Sequence, residues 1–159
     1  MSEDSWQAVK GAVRNDASHI SNPSKTAEGC YRSLRSVTDG VDRTDIAFIN
    51  VHGTSTLYND EMEAVAIARA GLQDTPINSL KGYYGHTMGA AGVLETILSM
   101  HALDEGLVLA TRGFEELGVS RRVNVSAQNM PVSGNAFVKL LSGFGGCNAA
   151  MLFRKGGEA

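Results

Sequence analysis

Proline occurs three times in this chain and cysteine twice, aromatic residues make up 6% of it, and there is no long apolar run. Each shortage excludes something. Two cysteines, Cys30 and Cys147, make no disulfide framework, and the expected setting is a reducing one, by default the cytosol. No stretch approaches the ~18–20 apolar residues that cross a bilayer, so no membrane span is expected. The start, MSEDSWQAVKG, has no apolar core of a secretory leader. Positive charge is also short: 14 Lys and Arg against 17 Asp and Glu give a net charge of −3. Without a basic field to gather phosphates, nucleic acid is not an expected partner.

What is present is a chain of 159 residues, 43% hydrophobic and 19% charged, enough for one domain with a buried core. Its 18 glycines exceed the usual ~7% of residues and point to tight turns and close backbone approaches. Asn22-Pro23-Ser24 breaks the chain, with Ser24 as a plausible N-cap. A helix carrying Cys30, Leu34 and Val37 follows and ends near Asp39-Gly40. Residues 45–51 read as a buried strand, and 52–59 as a loop. Asp60 with Glu63 resembles a capping box opening a helix to Gly71. A strand at Pro76–Ser79 and a glycine-rich loop at 81–86 precede a helix over about 87–105. Strands are expected at 107–109, 122–125 and 137–141, with a turn at 142–146 leading into a last strand at 149–153. The expected fold class is α/β, a mixed sheet between helices with a closing β-hairpin.

Of the four histidines, His52 directly follows an apolar strand, where ligands of α/β sheets bind. His86 precedes a helix, where the helix dipole favours a neutral, hydrogen-bond-donating ring suited to a carbonyl oxygen gaining negative charge. Lys81 lies within reach if the loop folds back. Taken alone, such residues are more often satisfied polar groups than catalysts. No pair of histidines or cysteines has zinc-site spacing, so no metal is expected. Gly143–Gly146 lacks the lysine and following helix of a phosphate cradle and reads as a strand turn.

Three segments carry a family resemblance. His52-Gly53-Thr54-Ser55-Thr56 with Asn59-Asp60 resembles the first histidine motif of the β-ketoacyl synthases. Lys81 through Gly85-His86, followed by Gly89-Ala90-Ala91-Gly92 and Glu95, resembles their lysine and second-histidine motif. Gly143-Phe144-Gly145-Gly146-Cys147-Asn148 resembles their terminal glycine-rich motif, and Asn15-Asp16-Ala17 with His19 the stretch preceding the first motif. Order and separation agree from about Gly11 to Phe153.

The resemblance implies a thiolase-like half and a decarboxylative Claisen condensation between an acyl thioester and malonyl on acyl carrier protein. It implies that His52 and His86 stabilise the enolate oxygen and that Lys81 holds their geometry and charge. Thr54 and Thr56 would bind the phosphopantetheine arm, Phe144 would gate the acyl pocket, and Glu95 would be a buried carboxylate near the lysine. A His–His pair matches the elongating synthases. Neither cysteine lies in the family's nucleophile motif. The chain therefore resembles the C-terminal part of a ketosynthase, with residues 1–10 a partial N-terminal segment, 11–155 the domain and 156–159 a tail.

No covalently bound cofactor is implied; phosphopantetheine is the substrate carrier. The implied partners are acyl carrier protein, the N-terminal ketosynthase half and, in an intact protein, a second copy in a homodimer. Alone, the chain is expected to be inactive in condensation. Two other readings are a non-catalytic chain-length-determining partner and a module that only binds acyl carrier protein. Arg121-Arg122, the one adjacent basic pair, offers little electrostatic dock for that acidic carrier.

Overall fold

The computed structural model describes residues 5–156. Residues 1–4, at the start of the N-terminal segment, and 157–159, most of the expected tail, lie outside the described residues. The main sheet has six strands in the order β1-β8-β7-β2-β3-β5. Strands β2 (Ile46–Asn50), β3 (Pro76–Asn78), β5 (Asn124–Val125) and β7 (Ala136–Gly143) run parallel, while β8 (Cys147–Lys155) is antiparallel to β7 and to β1 (Trp6–Asn15). A separate two-stranded ladder joins β4 (Leu107–Val108) to β6 (Met130–Pro131).

Alternation along the strands builds two cores. Ala136, Val138 and Leu140 of β7 join Ala150 and Leu152 of β8 beneath α1 (Glu28–Thr38) and α2 (Leu57–Arg69). On the opposite face Phe137 stacks between Phe48 and Phe153, with ring centroids 5.4 and 5.2 Å away. Leu103 of α4 (Ala91–Asp104) closes that second core. Lys139 follows the same alternation, so the one charged residue of the buried β7 run points to the α4 side.

Several local expectations are corrected. Ser24 does not cap α1; its Oγ accepts from the backbone N–H of Thr26 at 3.2 Å, closing a turn, and the helix starts at Glu28. Asp60 and Glu63 form no capping box, because α2 already begins at Leu57 and both carboxylates turn outward to the preceding loop. The 81–86 segment contains a single helical turn, α3 (Lys81–Tyr84). Of the two glycines at the start of the next helical stretch, Gly92, inside α4, is closely packed: a Cβ there would lie 2.9 Å from Leu141 Cδ1, which would have to shift. Gly89 has no neighbour that close.

Strand β1 was not legible at all. It runs unbroken from Trp6 across residue 10, so the sheet takes in part of the segment read as N-terminal to the domain. Its register shifts between Ala8 and Lys10, which destroys the period-two signal, and it is a mostly exposed edge.

Candidate functional site

Strand β2 ends at Asn50, and the chain then makes a strained loop that delivers His52. Gly53 has φ +45°, and a Cβ there would sit 2.6 Å from Ser79 Cβ, so only glycine fits. Ser55 also has positive φ. Acidic side chains of α2 hold this loop. Glu63 accepts from the backbone N–H of His52 at 2.7 Å and of Gly53 at 2.8 Å, and Asn59 Nδ2 donates to it at 2.9 Å. Asp60 accepts from the N–H of Thr54 at 3.2 Å. Burial pushes the carboxyl pKa of both Glu63 and Asp60 upward.

The other side of the loop is held by ammonium groups. Lys81 donates to the carbonyl of His52 and, at 2.7 Å, to Glu95 Oε1; its Nζ lies 3.5 Å from His52 Nδ1. Glu95 is completely buried, and its second oxygen accepts from Lys139 Nζ. Lys139 also donates to the carbonyl of Val51 at 3.2 Å. Desolvation, aided by Lys81, Lys139 and His86, pushes the His52 pKa down to about 3. The ring is therefore neutral, with Nδ1 turned to an ammonium that can only donate. Its proton sits on Nε2.

His86 follows α3 on an exposed turn. The centroids of the two histidine rings are 5.1 Å apart, in an edge-to-face arrangement. His86 Nδ1 accepts from the backbone N–H of Met88 at 3.0 Å, so in the neutral ring its proton too is on Nε2. In its neutral form each ring thus has an Nε2–H free to donate. The sequence placed His86 directly at the start of a long helix; the turn at Met88–Ala90 intervenes before α4 begins.

His52 and His86 line one cleft of about 1150 Å³, along with Lys81, Thr54, Thr56 and Phe144. The Oγ1 atoms of Thr54 and Thr56 are 2.7 Å apart. Phe144 is 79% exposed at the tip of the β7–β8 turn. That turn is tied down from beneath: Asn15 Nδ2 donates to the carbonyl of Gly145 at 2.7 Å, and the N–H of Asp16 to that of Gly146 at 2.9 Å. The structure thus brings His52, Lys81, His86 and Glu95 into one cluster and sets Thr54, Thr56 and Phe144 around the same cleft. Lys139, Glu63 and Asn59 belong to the cluster and were missed as site residues. The available signal for Lys139 was a lone charge inside an apolar strand.

Cys30 is buried on α1, and desolvation pushes its thiol pKa well up. Cys147 is exposed at the first position of β8, and among the described residues no hydrogen bond reaches its sulfur. No group of metal-binding side chains is found among the described residues, and none of their helices is long and apolar enough to cross a membrane.

Placement of Lys81 depends on Gly82. A Cβ at Gly82 would lie 2.2 Å from the backbone oxygen of Arg112. Gly82→Ala is expected to cost about 1–3 kcal/mol, measurable by urea denaturation, because neither backbone can yield without moving α3.

Beside the end of β2 in this mixed sheet, the rings of His52 and His86 thus meet, backed by the buried Lys81–Glu95 ion pair. Comparison with known proteins shows the family. Residues 7–115 match the family model "Beta-ketoacyl synthase, C-terminal domain". The chain is 34% identical over 151 residues to 3-oxoacyl-[acyl-carrier-protein] synthase 1 of Escherichia coli K12, covering 94% of this chain and 36% of that relative. Among solved structures, a β-ketoacyl synthase from Burkholderia phymatum superposes with TM-score 0.85 at 28% identity, over 93% of this chain and 37% of that one. The ishigamide ketosynthase/chain length factor superposes with TM-score 0.83 at 27% identity, over 94% and 38%.

The chain belongs to the β-ketoacyl synthase C-terminal domain family and has its thiolase-like fold. It spans a little over a third of the length of these relatives.

Proposed function

We propose that this domain supplies the oxyanion-stabilising half of a decarboxylative condensation on acyl carrier protein. The paired Nε2–H donors of His52 and His86, 5.1 Å apart between ring centroids, carry this reading. Malonyl thioester delivered on a phosphopantetheine arm loses carbon dioxide. The electron pair of the broken C–C bond moves into the enolate, whose oxygen takes hydrogen bonds from the two rings. A neutral His52 donates without first losing a charge, and Lys81 with Glu95 holds it in place. The enolate carbon then attacks an acyl thioester, and the thiolate leaves. Thr54 and Thr56 bind the arm, and Phe144 gates the acyl channel.

The cysteine bearing that acyl group comes from a partner ketosynthase half, since burial disfavours the thiolate of Cys30 and neither cysteine lies in the family's nucleophile motif. The surface of α4 suits such a partner: Glu95 and Ser99 face inward while Val93 and Ile97 stand exposed, the reverse of a solvent-facing helix. A homodimer of the assembled enzyme completes the proposal.

The test combines this chain with the N-terminal half of a 3-oxoacyl synthase relative and supplies acyl and malonyl carrier protein. Product is read by mass spectrometry. The pair should form 3-oxoacyl product and the chain alone none. His52→Ala or His86→Ala should lower the rate by about 10²–10³-fold. Product from the chain alone that vanishes in Cys147→Ala would overturn the proposal. The likeness to a ketosynthase/chain length factor structure favours a second reading, a non-catalytic length-setting partner. In that case the histidine variants would leave the rate intact and change product length.

A further inference from the structure

Lys139 lies outside the cleft and is only 3% exposed. Burying an ammonium is costly, so its partners indicate its use. It binds the second oxygen of Glu95 and the carbonyl of Val51. Lys81 binds the first oxygen of Glu95 and the carbonyl of His52. Two consecutive carbonyls at the end of β2 are thus each held by a lysine, and both lysines share one carboxylate. From the other side Glu63 holds the N–H groups of His52 and Gly53. The Val51 and His52 carbonyls and the His52 and Gly53 N–H groups are therefore each tied to a charged side chain, while the Val51 N–H goes to the carbonyl of Asn78 and the Gly53 carbonyl to the Ser79 hydroxyl.

We propose that Lys139 is a positioning residue of this site: it joins Glu95 to the Val51 carbonyl, fixes the backbone from which His52 projects, and adds a second buried positive charge beside that ring. The proposal rests on the oxyanion role given to His52 above. Register explains why β7 can supply it. Lys139 pairs with Asn50 across the parallel β2–β7 ladder, so its side chain reaches just past the end of β2 to Val51. Lys81 and Lys139 share the single carboxylate of Glu95. Facing this cluster are Glu63 and Asp60 from α2, Tyr84 from α3, and His86. Desolvation pulls the pKa of Lys139 down to about 8, against the pull of Glu95. At neutral pH it remains an ammonium and opposes protonation of His52.

The test follows the His52 ring of the ¹⁵N-histidine-labelled chain by NMR as pH falls from about 8 to about 4. The unaltered ring should remain neutral throughout. Lys139→Met keeps the length of the stem and removes the ammonium, so His52 should titrate about one unit higher. Lys139→Arg keeps the charge and should keep the low value. No shift in a folded Lys139→Met, or an equal shift in Lys139→Arg, overturns the assignment. Should the methionine variant not fold, the Nζ signal of Lys139 is read in the unaltered chain. A caged ammonium exchanges slowly with water and titrates below the ordinary lysine value. A fast-exchanging Nζ titrating near ~10.4 overturns the proposal. Neither readout needs turnover, so an inactive assembly with the expected titration would refute the condensation reading alone, and the converse would refute only the role of Lys139.

Discussion

Glu95→Gln is expected to destabilise the domain by about 3–5 kcal/mol at neutral pH, with a melting temperature lower by roughly ten degrees or more. The wild-type carboxylate is wholly buried and has an ammonium on each oxygen. An amide of the same shape leaves both cations uncompensated, and its NH₂ group faces one of two donors with a third. Raising the pH should shrink the deficit. Lys139, already at about 8 through burial, sheds its proton first, and a neutral amine is far cheaper to bury than an ammonium. Urea midpoints of both proteins at pH 7 and about pH 9.5 check this. An unchanged midpoint at pH 7 would mean that Glu95 is not the counter-ion of both lysines.

His52 should make stability pH-dependent in the opposite region of the scale. Its folded pKa, about 3, lies below the 6.5 of an ordinary imidazole expected when unfolded. Between those values the unfolded state binds more protons, so stability rises with pH. The contribution of a neutral, buried His52 is thus complete above about pH 6.5 and lost as pH falls toward about 3, with a slope of up to ~1.4 kcal/mol per pH unit. Glu63 and Asp60 act the other way, since burial raises their pKa values and lets the folded state take up protons first. Comparison with His52→Asn isolates the histidine: the variant should lose stability less steeply on acidification from pH 6.5. Parallel curves for the two proteins would show that the ring is not held neutral.

Elements with a clean apolar period were legible in the chain. Strand β2, the helix bearing Cys30 and Leu34, and the β7–β8 hairpin stand close to where periodicity put them, because burial on one or both faces imposes that pattern. Segments without such burial were not. β1 is an exposed edge with a shifted register, and α3 is one turn containing a glycine that local propensity argues against. The pattern Asp60-x-x-Glu63 reads equally as a cap or as two loop-binding carboxylates. Only the position of the 52–54 backbone above α2 decides between them.

The amino-acid sequence by itself determined the α/β class, the order of the elements and the three motifs that carry His52, Lys81, His86 and Phe144, since side-chain periodicity and local spacing are properties of neighbours along the chain. The tertiary structure alone decided how those residues are charged and held. Lys139 and Glu95 lie 44 positions apart, and Lys81 and His52 lie 29 apart. No local pattern records that all four meet in one desolvated cage. There burial and the mutual distances of buried charges, rather than their spacing in sequence, keep the ring of His52 neutral.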